Sequence, residues 1–217
     1  MAIVQKATLT PSKMELLQRW LPTQAWFGKN VSADLSRIGS FRFDDPAGEV
    51  GIETILVASE NTVFQVPLTY RGSPLPEAEP FLIGTMEHSI LGTRWIYDAA
   101  GDPVYISALA AAILTGHPQA DQAFELEGRL ELIPESVHLQ TTGTPTTSIP
   151  TICSTVSTTL DGVTAIYVGD QELSVNRVLN FAKQTPKQRV LAATWDRQTM
   201  PVELASLARA RQRAVQG

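Results

Sequence analysis

The sequence predicts an α+β fold, with an antiparallel sheet and two helices in the first half and mostly β-structure in the second. Two segments before residue 117 have apolar residues at helical spacing. The strand-like runs between these segments are joined by turn-rich connections, which suit antiparallel hairpins and are too short for crossover helices. After residue 120, apolar and polar residues alternate through several short runs, as in strands that bury one face.

The first helix is predicted to begin at Thr10 and Pro11, because a hydroxyl can cap the first turn and proline is tolerated there. Pro22 is expected to end this helix, since proline cannot continue the helical hydrogen bonds. The apolar residues at helical spacing between these points are Met14, Leu17, Trp20 and Leu21.

Five strands and a second helix are predicted next. The strands cover residues 35–43, 49–58, 62–70, 81–87 and 93–97. Turn-forming residues occupy the connections between the first three runs. The segment 71–80 contains three prolines and is therefore predicted to be a loop. The second helix is predicted to open at Asp102 and Pro103 and to continue to about Gly116.

Six or so short strands are predicted between residues 120 and 195, forming a sandwich or half-open barrel. Asp161 with Gly162, and Gly169 with Asp170, are dipeptides that favour tight hairpins. Residues 141–151 are predicted to be an exposed loop, and 201–216 a C-terminal helix with three arginines. We therefore expect an α+β domain at residues 1–118 and a β-rich domain with a C-terminal helix at residues 119–217.

Composition and charge exclude several classes of protein. The net charge of −5 and the pI near 5.2 argue against a nucleic-acid partner, which requires clustered positive charge. The start of the chain has no apolar signal core, and the apolar stretch 106–114 is far shorter than the roughly 20 residues of a membrane span. The single Cys153 excludes an internal disulfide. We expect a cytoplasmic protein without membrane contact.

Six residues are candidate contacts for a ligand or partner: His88, Trp95, Tyr70, Arg71, Asp98 and Asp102. Two explanations stay open for each titratable member. His88 is either a base in a cleft or a histidine bonded at a turn. Asp98 and Asp102 either bind a ligand or accept bonds from free backbone N–H groups at a strand end and a helix start. No histidine has metal-ligand spacing and no glycine-rich phosphate loop occurs, so no cofactor is predicted.

Aromatic residues are dense around Pro22 and at Trp95. Trp20, Trp26 and Phe27 could form a stacking platform for a sugar ring, or a helix-to-strand corner buried against the sheet. We expect the buried arrangement, because each aromatic side chain removes a large apolar area from water.

Residues 17–29 (LQRWLPTQAWFGK) resemble the opening of actinobacterial maltokinases. Residues 64–70 (FQVPLTY) and 95–99 (WIYDA) resemble later strands of the N-terminal cap of that family. With Asp102 and Pro103, which are similar to the start of its next helix, the likeness spans about residues 10–116. The resemblance implies a curved antiparallel sheet with helices, cystatin-like in topology, and a link to α-glucan, maltose and trehalose metabolism.

The chain departs from maltokinases where their chemistry would lie. Their similarity to aminoglycoside phosphotransferases implies a catalytic aspartate in a His-Gly-Asp-type loop and a magnesium-binding aspartate. None of the three histidines here is followed by that pattern, and no strand supplies the kinase lysine. We therefore expect a stand-alone, non-catalytic cap-like accessory protein.

Its partner is expected to be a second copy of the chain or an enzyme of α-glucan or trehalose metabolism. The contact surface is expected at the solvent edge of the first sheet, near residues 63–70, or at the loop 71–80. The alternative is a sugar- or phosphosugar-binding module, or a small enzyme, with a cleft between the two halves.

Overall fold

The computed structural model describes residues 2–3, 7–28, 31–126, 129–144, 156–182 and 189–210. The strands in these ranges are β1 (Ala2–Ile3), β2 (Leu9–Thr10), β3 (Ser36–Phe43), β4 (Gly51–Ser59), β5 (Thr62–Arg71), β6 (Leu82–His88), β7 (Gly92–Asp98), β8 (Gln122–Leu126), β9 (Arg129–Leu132), β10 (Val137–Thr141), β11 (Val156–Leu160), β12 (Val163–Val168), β13 (Gln171–Asn176), β14 (Val190–Trp195) and β15 (Gln198–Arg209). The helices are α1 (Lys13–Trp20) and α2 (Pro103–Thr115). The predicted α+β class with a β-rich second half is confirmed.

The first sheet is a curled antiparallel sheet with the strand order β2-β6-β7-β5-β4-β3. All five predicted strands are present, and the short β2 adds a sixth at the β6 edge. Strand β5 lies inside the sheet, paired with β4 on one side and β7 on the other. The prediction that residues 63–70 form a solvent edge is therefore wrong, because β7 pairs with residues 68–71 and the segment 177–179 bonds to residues 63–65 on the same side of β5.

Helix α1 begins two residues later than predicted. Its cap is Ser12, whose Oγ accepts a hydrogen bond from the backbone N–H of Glu15 at 3.3 Å, while the Glu15 carboxylate accepts from the N–H of Ser12 at 2.7 Å. This reciprocal pair satisfies two N–H groups that have no partner inside the helix. Leu17 and Leu21 bury the inner side of this segment against the sheet.

The aromatic corner after α1 is buried only in part. Phe27 is buried and stacks on Phe64 of β5 with the ring centroids 4.8 Å apart. Trp20 and Trp26 are half-buried and meet edge to face, with centroids 6.1 Å apart. The expectation of mostly buried aromatics holds for Phe27, and Trp20 and Trp26 are partly buried and pack against the same core.

Helix α2 has the predicted bounds and lies between the two six-stranded sheets. Asp102 caps its start, and Gly116 ends it in the left-handed conformation at φ 73°. The helix contacts β3 of the first sheet and both β14 and β15 of the second. One apolar core therefore contains residues of both halves, such as Leu56, Ile113 and Leu204. The division at residue 118 stays a prediction.

The second sheet has the strand order β10-β14-β15-β13-β12-β11, and β8 and β9 form a small sheet with the parallel β1. The predicted turn at Asp161 and Gly162 joins β11 to β12, with φ values of 49° and 75°. The prediction of a C-terminal helix over residues 201–216 is wrong for residues 201–209. These residues belong to β15, which lies between β13 and β14 in the sheet. Long-range pairing there overrides the helical propensity of Ala, Leu and Glu. Residues 211–217 lie outside the described part.

Candidate functional site

Asp98 joins the two halves of the chain through Arg177. Asp98 ends β7, and Arg177 follows β13 directly. The Nη2 atom of Arg177 donates to both carboxylate oxygens of Asp98, at 2.7 and 2.8 Å, and its Nε donates to Oγ1 of Thr164 at 2.7 Å. Asp98 and Arg177 are both buried, so each charge compensates a partner whose burial would otherwise be costly. This arrangement favours a structural carboxylate over an acid or base.

The guanidinium of Arg177 is also covered by an aromatic ring. Its central carbon lies 5.6 Å from the ring centroid of Trp26. An arginine over the face of a tryptophan is attracted by the negative charge of the ring face. Trp26 therefore packs against the arginine that binds Asp98, which leaves that ring face unavailable for stacking on a sugar.

Asp102 is fully buried at the start of α2 and has two structural partners. Its Oδ1 accepts from the backbone N–H of Val104 at 3.0 Å, which caps the helix. The Nε and Nη2 atoms of Arg71 donate to its two oxygens, each at 2.7 Å. The hydrogen bond from Arg71 to Asp102 raises the pKa of Arg71 above its ordinary value. This bidentate pair holds the end of β5 against the first turn of α2.

Trp95 and Tyr70 project from opposite faces of the first sheet. Trp95 lies directly across from Arg71 in the β5–β7 ladder and is half-buried. Tyr70 precedes Arg71, and successive strand residues point to opposite faces. Its hydroxyl donates to Oε2 of Glu53 at 2.9 Å, on the face that α1 covers. The two aromatic candidates therefore do not share a site.

Glu53 is the centre of a group of polar side chains, here called the Glu53 cluster. It consists of the charged Lys13, Arg37, Arg42 and Glu53 and of the hydroxyl of Tyr70. The Lys13 ammonium donates to Oε2 of Glu53, and guanidinium nitrogens of Arg37 and Arg42 lie 3.8 and 3.7 Å from its two oxygens. Burial would raise the pKa of Glu53, but the charges of Lys13 and Arg42, with the donated hydrogen bonds, lower it to about 2. Burial and the charge of Glu53 raise the pKa of Tyr70.

His88 lies at the β6–β7 hairpin and is bonded within the turn. Its Nδ1 accepts from the backbone N–H groups of Ile90 and Leu91, at 3.3 and 3.1 Å. Partial burial, with the charges of Arg94 and Lys13, lowers the pKa of His88. These contacts favour the turn explanation for His88 over a base in a cleft. The side chains at the hairpin tip, Ile90 and Leu91, are 54% and 52% exposed.

The six candidate residues do not converge on one site. Arg71, Trp95 and Asp102 are neighbours, while Tyr70 and Asp98 have partners elsewhere.

Sequence reasoning missed Glu53 and Arg177. A usable signal existed for Glu53, because a lone carboxylate within the apolar strand GIETILVAS must find cationic partners if that strand is buried on both faces.

Neither a metal site nor a membrane helix is found in the ranges given above. No three His, Cys, Asp or Glu side chains among the described residues are grouped so that they could hold a metal ion. Of the helices in this part of the chain, none has the length and apolar character needed to span a membrane.

The first sheet and its helices have the class of fold expected for an α+β cap domain. The sequence model of the family described as the maltokinase N-terminal cap domain matches residues 20–102. The match extends from the last residue of α1 to the cap of α2 and covers less than half of the 217-residue chain. The resemblance to maltokinase caps is confirmed for this segment.

Two further comparisons give little additional information. A comparison with curated proteins finds no match. Among solved structures, the chain is similar to one described as "Glucosamine kinase in complex with glucosamine, ADP and inorganic phosphate", with 15% identity and a TM-score of 0.48. The likeness covers 94% of this chain and 42% of that one, so this chain spans less than half the length of that structure. At this TM-score the likeness carries no argument about fold or function.

Proposed function

We propose that this chain is a non-catalytic cap-like accessory protein of bacterial α-glucan, maltose or trehalose metabolism, and that it acts by binding a partner protein. The match of residues 20–102 to the maltokinase N-terminal cap domain carries this proposal. The partner is either an enzyme of that metabolism or a second copy of this chain, and the site of action is the cytoplasm.

The ion pairs of Asp98 and Asp102 support the non-catalytic part of the proposal. Each carboxylate accepts two charged hydrogen bonds from a guanidinium, and each is buried. A general acid or base needs access to its substrate. Carboxylates bound in this way are better suited to hold β5 to α2 and β7 to the segment after β13.

The tip of the β6–β7 hairpin is a suitable contact surface for the partner. Ile90 and Leu91 are adjacent and about half exposed, and the bonds from their N–H groups to His88 hold the turn in shape. Apolar side chains on a preorganised turn lose little conformational entropy on binding. The neighbouring loop 71–80 contains three prolines, which favour a preorganised surface there as well.

Affinity purification from the native host tests the partner proposal. The tagged wild-type protein should retain an enzyme that acts on α-glucans, maltose or trehalose, and the double variant I90D/L91D should not retain it. Leu132→Asp is the matched control, because Leu132 is also apolar and exposed, on β9. A monomer that retains no such enzyme would contradict the proposal.

A coupled assay of ADP release tests the non-catalytic part. The purified protein with ATP, magnesium and maltose should release no more ADP than a control without sugar. Sugar-dependent turnover at about one per second, as in ordinary enzymes, would contradict this part of the proposal.

A further inference from the structure

The Glu53 cluster contains more positive charge than its carboxylate can neutralise. Lys13, Arg37 and Arg42 each form an ion pair with Glu53 in the described part of the chain. Three cations therefore share one carboxylate, which leaves an excess of two positive charges. Because the pKa of Glu53 is about 2, the carboxylate stays ionised at neutral pH and already contributes its full charge.

A β-bulge brings the two arginines of the cluster to the same face of the sheet. Arg37 and Arg42 are five residues apart on β3, so a regular strand would point them to opposite faces. The pairing of β3 with β4 shifts by one residue between Arg37 and Gly39. The two arginines consequently lie across from Val57 and Glu53, which share the α1 face of β4. Bulges commonly redirect a side chain in this way.

The donors of the cluster are not saturated. The Nη1 atom of Arg42 lies 3.7 Å from Oε2 of Glu53, which is beyond hydrogen-bond distance. The buried Nε atom of Arg42 has no hydrogen-bond partner in the described part of the chain. The side chain of Arg37 donates to Oγ of Ser40 at 2.6 Å and is 52% exposed. Lys13 and Arg42 are 29% and 20% exposed, whereas Glu53 is 3% exposed. Solvent therefore reaches the cations while the carboxylate lies beneath them.

We propose that the Glu53 cluster binds a tetrahedral oxyanion, either inorganic phosphate or the phosphate group of a small phosphorylated ligand. A phosphate group carries about −1.5 to −2 charges at neutral pH, which would bring the cluster close to neutrality. Guanidinium groups present paired donors that match the oxygens of a phosphate. Arg37 and Arg42 would donate to the oxyanion from β3, and Lys13 would add its charge from the start of α1.

This inference is independent of the partner proposal, and its test uses the isolated protein. Inorganic phosphate and glucose 6-phosphate are titrated calorimetrically into the wild-type protein, with sodium chloride at the same ionic strength as the reference. Arg37→Gln should weaken binding by roughly tenfold or more, as expected for the loss of a charge-assisted hydrogen bond. Arg42→Gln should do the same if its melting temperature shows that it is folded.

Arg19→Gln is the matched control, because Arg19 is exposed in the last turn of α1 and lies outside the cluster. It should bind both probes as the wild type does. Equal affinity for the two probes would assign recognition to the oxyanion alone, and tighter binding of glucose 6-phosphate would assign it to a phosphorylated sugar. Either result supports the site. No heat beyond that of the chloride reference, or an Arg37→Gln variant that binds like the wild type, would overturn it.

Discussion

The carboxylate of Asp98 and the guanidinium of Arg177 form a buried ion pair between residues 79 positions apart in the chain. Asp98 belongs to the cap-like first half and Arg177 to the β-rich second half. The segment after Arg177 also bonds to β5, through the N–H of Leu179 and the carbonyl of Val63 at 2.8 Å. The two halves are therefore joined by polar contacts as well as by the apolar core around α2.

Removing Arg177 should destabilise the protein strongly. Arg177→Met leaves the buried Asp98 carboxylate without its cation, which we expect to cost about 3–5 kcal/mol of unfolding free energy. The double variant D98N/R177M should lose less than the two single variants together, because it leaves no unpaired charge. Urea denaturation measures all three. Asp170→Asn is the control, since the exposed pair of Asp170 and Arg209 should contribute less than about 1 kcal/mol. Additive losses would show that the pair is not coupled.

Two substitutions separate the capping role of Asp102 from its ion pair with Arg71. Asp102→Asn keeps an oxygen that can accept from the N–H of Val104 and loses the charge that Arg71 binds. Asp102→Ala loses both, so it should be the less stable variant by about 1 kcal/mol, the usual cost of a lost helix cap. Thermal unfolding followed by circular dichroism measures the difference. Equal stabilities would mean that the cap contributes nothing beyond the ion pair.

The stability of the protein should fall in acid as Glu53 is protonated. The folded-state pKa of about 2 lies below the ordinary value of 4.5, so the stabilisation is complete above pH 4.5 and is lost as the pH falls towards 2. The difference corresponds to roughly 3 kcal/mol at neutral pH. Urea denaturation at pH 6 and pH 2.5 measures the loss. Glu53→Gln should lose less stability than the wild type over this interval, and equal losses would contradict the assigned pKa.

Phe27→Ala should destabilise the aromatic corner by about 3–5 kcal/mol, because Phe27 is buried and stacked on Phe64. Trp20→Ala should cost less, since Trp20 is only half-buried. Phe181→Ala provides the control, because Phe181 is about half exposed and its ring meets that of Trp195 on β14. Melting temperatures rank the three variants. A Phe27→Ala variant as stable as Phe181→Ala would contradict the packing described.

The sequence by itself determined most local elements of the first half and the likeness of residues 20–102 to the maltokinase N-terminal cap domain. Asp102, Pro103 and Gly116 marked both ends of α2, and the turn at Asp161 and Gly162 marked the hairpin of β11 and β12. These signals are local, because a cap or a tight turn depends on residues a few positions apart. The strand positions of the first sheet followed from the same kind of pattern.

Only the tertiary structure decided which distant residues meet. The pairing of Asp98 with Arg177 depends on the order of strands in two sheets, and the Glu53 cluster depends on a bulge in β3. Residues 201–209 belong to the predicted helix 201–216, but they form part of β15 because β13 and β14 pair with its two edges. Local sequence patterns carry no information about which distant residues pair. The ion pair, the Glu53 cluster and β15 are each stabilised by residues far away in the sequence.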